Sequence, residues 1–138
     1  MTEKEMIKFV KDYVEAINSH DNKRIEDYHA SDSVAVSAGD PGKSLDRAGR
    51  RKYFEEREKA FPDAKMTARN IRVDPRAGTA TFDWTIRGTH KGAFKGMPAT
   101  NKQVTHRGTS ELKIKNGKIT QETSHQDVAS LRKQVATS

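Results

Sequence analysis

The run ELKIKNGKITQETSHQD, residues 111–127, carries the strongest local signal in the chain. Asn116 and Gly117 sit between two stretches of alternating residues, the pattern of a type I′ turn that joins two antiparallel strands. Before the turn, Val104, His106, Leu112 and Ile114 share one parity. After it, a period of two places Ile119, Gln121, Thr123, His125 and Asp127 on one face. That face begins apolar and ends in a histidine and a carboxylate, so the hairpin aims two titratable groups where a small domain keeps its interior.

Working back from the hairpin, MTARNIRV leads through the turn DPRAG into TATFDWTIRG, where Ala80, Phe82, Trp84 and Ile86 alternate with polar residues. The first 60 residues read differently. Thr2 and Glu5 form a capping-box pattern, and Met6, Phe9, Val10, Tyr13, Val14 and Ile17 recur at helical spacing, predicting a helix from about residue 3 to Asn18. Asp21 caps a short second helix carrying Ile25 and Tyr28. A brief strand around Val34 and Val36 is followed by a Gly/Pro-rich loop in SAGDPGK. A third helix runs from about Asp46 to Ala60, with Tyr53, Phe54 and Phe61 on its apolar side, and Pro62 closes it. Helices first and an antiparallel meander afterwards predict an α+β domain over residues 1–138, with the helices on one face of a curved sheet. Such a sheet makes a cone whose open end suits a small-molecule pocket.

The chain has 138 residues, a net charge of +7, 33% hydrophobic content and no cysteine. Disulfides and thiolate metal sites are therefore excluded. No pair of histidines has a metal-ligand spacing on one helix, so no metal is expected. No apolar run reaches a membrane span, and MTEKEMIKFVKDY has the features of neither a signal nor a transit peptide; a cytoplasmic protein is the expectation. The basic residues are scattered among acidic ones except in RAGRRK, residues 47–52, which reads as a solvated helix face. With few aromatics interleaved, nucleic acid is not the expected partner. The low hydrophobic content suggests a small core and an oligomer that buries more surface.

The stretch RGTHKGAFKGMPATNKQV, residues 87–104, resembles a signature of the SnoaL-like polyketide cyclase family, part of the NTF2-like superfamily of conical folds. The matching residues are Gly88, Thr89, His90, Gly92, Phe94, Gly96, Pro98, Thr100 and Lys102, followed by Asn116, Gly117, Lys118 and Ile119, and then Asp127, Leu131 and Gln134. AFPDAKM, residues 60–66, is similar to the family's helix-to-strand junction. Asn101 replaces a glycine of the signature, KQVATS replaces its terminal motif, and Thr123 stands where an aromatic is frequent. The resemblance implies a curved, mostly antiparallel sheet enclosing a pocket, and a homodimer or tetramer through the open sheet face. It implies a cofactor-free cyclase, of the ester cyclase or isomerase kind, closing a ring in an apolar or polycyclic carbonyl compound. It also implies that Asp127 is the acid/base with His125 beside it. The alternative is a module of the same fold that binds a small ligand, or dimerises, without turnover.

Each residue also has a plainer reading. Asp127 begins DVASLRKQ and equally suits the N-cap of a helical turn. His125 is either a pocket residue or a histidine bonded to a neighbouring carbonyl. His106 shares the core parity of its strand unless Gly108 is a bulge that resets it. Trp84 and Phe82 are core or the apolar wall of a pocket; Tyr13 and Tyr28 are the hydroxyls placed to reach it from the helices. His90 belongs to the shape of the glycine-rich stretch, and His20 and His29, near helix ends, are expected to face solvent.

Overall fold

The computed structural model describes residues 1–38 and 40–136. Helix α1 spans Glu3–Asn18 and starts at the capping box, the Thr2 side chain accepting from Glu5 N and the Glu5 side chain reaching back. Its apolar stripe, from Met6 to Ile17, is buried. Asp21 caps α2 (Asn22–Glu26), and Tyr28 follows past its end, half-buried against Phe9 and Tyr13. Strand β1 (His29–Ser37) is longer than the brief strand expected. The Gly/Pro-rich segment after it is no loop: Asp40–Leu45 forms β2, antiparallel to β1, and Gly39 lies outside the described residues. A proline is tolerated there because β2 is an edge strand of the sheet. Asp46 caps α3 (Arg47–Ala60) through Gly49 N.

Strands β3 (Lys65–Asp74), β4 (Thr79–Thr89), β5 (Gln103–Lys115) and β6 (Lys118–Gln126) complete one sheet of order β2-β1-β6-β5-β4-β3. All neighbours are antiparallel except β1 and β6, which run parallel. The β5–β6 turn has positive φ at both Asn116 (53°) and Gly117 (73°), as a type I′ turn requires. Ala80, Phe82, Trp84 and Ile86 of β4 all point into the core. α1 packs on β3 and β4, α3 on β1 and β2, and the curved sheet wraps around them. Helix α4 (Val128–Ala136) docks through buried Leu131 and through Gln134, whose amide makes two bonds to the Thr105 backbone.

Two register features decide which side chains face inward. The β4–β5 ladder pairs every residue from Thr79↔Lys113 to Thr89↔Gln103, so Gly108 is not a bulge. A Cβ there would lie 2.2 Å from the Trp84 ring and 2.5 Å from the His125 carbonyl oxygen; the glycine makes room for the indole. The break lies in β6, where Lys113 pairs with Gln121 but Ile114 pairs with Ile119, leaving Thr120 unpaired with β5. One extra residue flips the parity of everything beyond it. Ile119 faces the core, and after the bulge it is Glu122, Ser124 and Gln126 that face inward. Gln121, Thr123 and His125 turn to the outer face, so the shared face expected for residues 119–127 does not form.

Candidate active site

Between α1, α3 and the concave side of the sheet lies a cavity of about 330 Å³. Helix α3 supplies one wall from Arg50, Tyr53, Phe54 and Arg57, whose spacing of three, one and three places them on a single helical face. Tyr13 enters from α1, Trp84 and Ile86 from β4, and Glu122, Ser124 and Gln126 from β6. The wall is apolar around a few convergent polar groups, the character of a small-molecule site.

Glu122 is the centre of the polar groups. Tyr13 Oη donates to Glu122 Oε1 at 2.7 Å and stands 3.0 Å from His29 Nε2; His29 Nδ1 is 3.0 Å from Ser33 Oγ. Tyr13 has one hydroxyl proton and gives it to Glu122, so His29 Nε2–H donates to Tyr13 and Nδ1 accepts from Ser33. On the other side, Trp84 Nε1 donates to Ser110 Oγ at 3.0 Å, and Ser110 lines the cavity together with Glu122. Burial pushes the Glu122 carboxyl above the usual range, opposed by the Tyr13 hydrogen bond and by the positive fields of Arg50 and Arg57. Burial and the Glu122 carboxylate hold the Tyr13 hydroxyl protonated. Burial, reinforced by Arg50, lowers His29 to about 4 and keeps it neutral near pH 7.

The two arginines of this wall differ. Arg50, 2% exposed, makes a two-pronged bond to Glu26 through Nε and Nη2, both at 2.9 Å, and its Nη1 donates to the Ser33 carbonyl. Arg57, 7% exposed, lies with its guanidinium carbon 5.0 Å from the Phe54 ring centroid, and its Nε has no hydrogen-bond partner among the described residues.

Of the residues expected to line a pocket, Tyr13 and Trp84 do so. Phe82 is packed in the core, and Tyr28 lies behind Tyr13. His106 is buried behind the main cavity, edge-on to Trp84, with Nε2 3.1 Å from Gln126 Oε1. It lines a crevice of about 20 Å³ that Arg57 and Tyr53 separate from the main space. Burial lowers its pKa, so it too is neutral. Thr123 is on the outer face, for the reason given by the bulge. His125 and Asp127 are exposed beside a shallow outer depression that also involves Arg69, Asp83 and Arg107. Asp127 Oδ1 accepts from Ser130 N at 3.0 Å, the bond of a helix cap. The structure thus brings neither residue into the cavity.

His29 is the reverse case. Expected in solvent, it is buried, because β1 begins at His29 itself and threads it under α1. RAGRRK is likewise not wholly a solvated face, since Arg50 within it is buried. A helical stripe of Arg50, Tyr53, Phe54 and Arg57 was present in the sequence, and arginines at its two ends are the signal that a search for apolar periodicity passes over. His90 keeps a shaping role: it is buried, stacked on Phe61, and its backbone ties Thr100, Asn101 and Lys102. Asn101 takes φ 58°, which suits the residue standing in the glycine position.

Solved structures match this arrangement over nearly its whole length. AclR of Streptomyces galilaeus, provisionally a hydroxylase, superposes with a TM-score of 0.86 at 23% identity, covering 97% of both chains. IdmH of Streptomyces antibioticus, provisionally a polyketide cyclase, gives 0.81 at 23% identity, covering 94% of this chain and 97% of its own. TsrD of Streptomyces laurentii gives 0.85 at 16% identity, covering 99% and 98%. At these identities the likeness establishes the conical SnoaL/NTF2-like fold and nothing of the reaction. No curated protein matches the chain in sequence. The family model of the SnoaL-like polyketide cyclases matches residues 7–135, which include the cavity, its polar network and the glycine-rich stretch; the chain belongs to the SnoaL-like polyketide cyclase family.

Proposed function

We propose that the protein is an acid/base enzyme of cyclase or isomerase type, acting on a flat, largely apolar carbonyl compound, with Glu122 as its proton-transfer group. The observation that carries this reading is the position of Glu122, a desolvated carboxyl inside the cavity, hydrogen-bonded to Tyr13 and facing Trp84 and Tyr53. A raised carboxyl pKa suits one group to take a proton from carbon and return it to oxygen. In an aldol ring closure, Glu122 removes the proton next to a carbonyl, the resulting carbanion attacks a second carbonyl of the same molecule, and the proton returns to the new alkoxide. Tyr13 holds the carboxyl in place through both halves of the cycle. The hydroxyl of Tyr53 and the amide of Gln126, on the facing walls, orient the carbonyls. Asp127 and His125 stand outside this scheme, in solvent and in a helix cap.

The test is proton exchange at the α-carbon of 2-tetralone in deuterated buffer, followed by NMR. The wild-type protein is expected to accelerate exchange, Glu122→Gln to remove about 10²-fold or more of that acceleration, in line with general-base catalysis, and Asp127→Asn to leave it within about twofold. The reverse pattern would move the chemistry to the outer face and to Asp127 with His125. Saturable binding of the ketone with no acceleration would favour the binding module.

A further inference from the structure

Arg57 is a buried cation with no carboxylate within ion-pair distance among the described residues. Arg50, on the same helical face, is consumed by Glu26 and backbone carbonyls. Arg57 has no such partner: its Nε is unbonded among the described residues, and Glu58 and Glu122 act on it from beyond ion-pair distance. It lies over the ring of Phe54, which accepts a cation on its face but does not neutralise it. Leaving a charge buried and uncompensated is costly, and a fold bears that cost where a ligand completes the pair. The rim carries the same sign. Lys43 and Lys95 both line the opening, and Lys95 Nζ lies 5.7 Å from the Tyr53 ring centroid and 5.6 Å from that of Phe94. Arg132 and Lys43 are the charges that act on Lys95, and both are positive.

Resting on the cavity as the ligand site, we infer that its ligand is a flat apolar molecule bearing a free carboxylate, and that Arg57 is the counter-ion of that carboxylate, with Lys95 attracting it at the rim. The planar guanidinium matches a carboxylate with two parallel bonds, which fixes the orientation of the apolar body against Trp84 and Ile86. Glu122 and Arg57 then divide the ligand between them, one addressing a carbon next to a carbonyl and the other the acid end.

The probes are 2-naphthoate and its methyl ester, titrated into the full chain by calorimetry. The acid is expected to bind at least tenfold more tightly than the ester, and Arg57→Met to bring the ratio near one. Arg57→Met should fold with a melting temperature no lower than that of the wild type, because it removes an uncompensated charge; Arg57→Lys, which keeps the charge without the fork, should retain part of the preference. An ester that binds as tightly as the acid, an acid with no saturable binding at millimolar concentration, or a preference that survives in Arg57→Met would each overturn the inference. Glu122→Gln separates it from the acid/base reading: that variant should still bind the acid through Arg57. Arg57-dependent binding without proton exchange in the wild type would sink the catalytic role of Glu122 and leave the ligand class standing.

Discussion

Glu122 and Asp127 belong to one short segment, yet one carboxyl is desolvated and bonded to Tyr13 while the other is hydrated and bonded to Ser130 N. Their chemical identity is almost the same, so environment alone separates their roles. The same holds for the histidines. His29, near neutrality, lends its Nε2–H to Tyr13 and is lowered to about 4 by burial, whereas an unfolded histidine takes up its proton near 6.5. As the pH falls through that window the unfolded state binds more protons than the folded one, so stability is present above it and lost on acidification. At roughly 1.4 kcal/mol per unit the loss attributable to His29 is about 3 kcal/mol. Glu122 works in the opposite sense: its raised carboxyl favours the fold while protonated and loses stability as the pH rises from the ordinary glutamate range through its own. Urea unfolding between pH 7 and 4 is therefore expected to show a marked loss in the wild type. In His29→Gln the slope over this window should be shallower by about that amount; an unchanged slope would mean that His29 is protonated in the folded state.

At the scale of elements, the decisive feature is the bulge at Thr120. Period-two alternation was a sound guide on β4, where all four apolar residues point inward, and on β5, where Val104, His106 and Leu112 do. It misled on β6 because an inserted residue is not written in the strand's own alternation: it is set by how β6 fits both β5 and the parallel strand β1, whose registers each shift nearby. Gly108 makes the complementary case, a glycine that signals a close approach instead of a bulge. Gly108→Ala would push the Trp84 indole off the strand and strain its bond to Ser110. We expect a loss of about 1–3 kcal/mol, typical of overpacking a tight site. Since the chain has a single tryptophan, a shifted emission spectrum should report the displaced ring directly. Wild-type stability and emission in this variant would show that the ring has room to move.

For the whole molecule, a buried brace ties α2 and α3 to the sheet beside the cavity. Glu26 of α2, Arg50 of α3 and the Ser33 carbonyl of β1 meet at one buried point, with Glu26 9% exposed. Removing one partner of a buried pair strands the other, at a cost of roughly 3–5 kcal/mol. Glu26→Ala should lower stability by that order in chemical denaturation, and a double variant, Glu26→Leu with Arg50→Met, should recover much of it; a single variant as stable as the wild type would show the pair to be solvated. Among the described residues no helix is long and apolar enough to cross a membrane. By itself the sequence determined the order and kind of the elements other than β2, the hairpin turn at Asn116 and Gly117, the α+β class and the family, because capping, helical periodicity and strand alternation are local and repeat along the chain. Only the tertiary structure decided that Glu122, and neither His125 nor Asp127, enters the cavity, that Arg50 is paired while Arg57 is not, and that His29 is buried beneath Tyr13. Those outcomes depend on register and on contacts between residues far apart in sequence, and no local pattern specifies which face of a strand remains inward after a bulge.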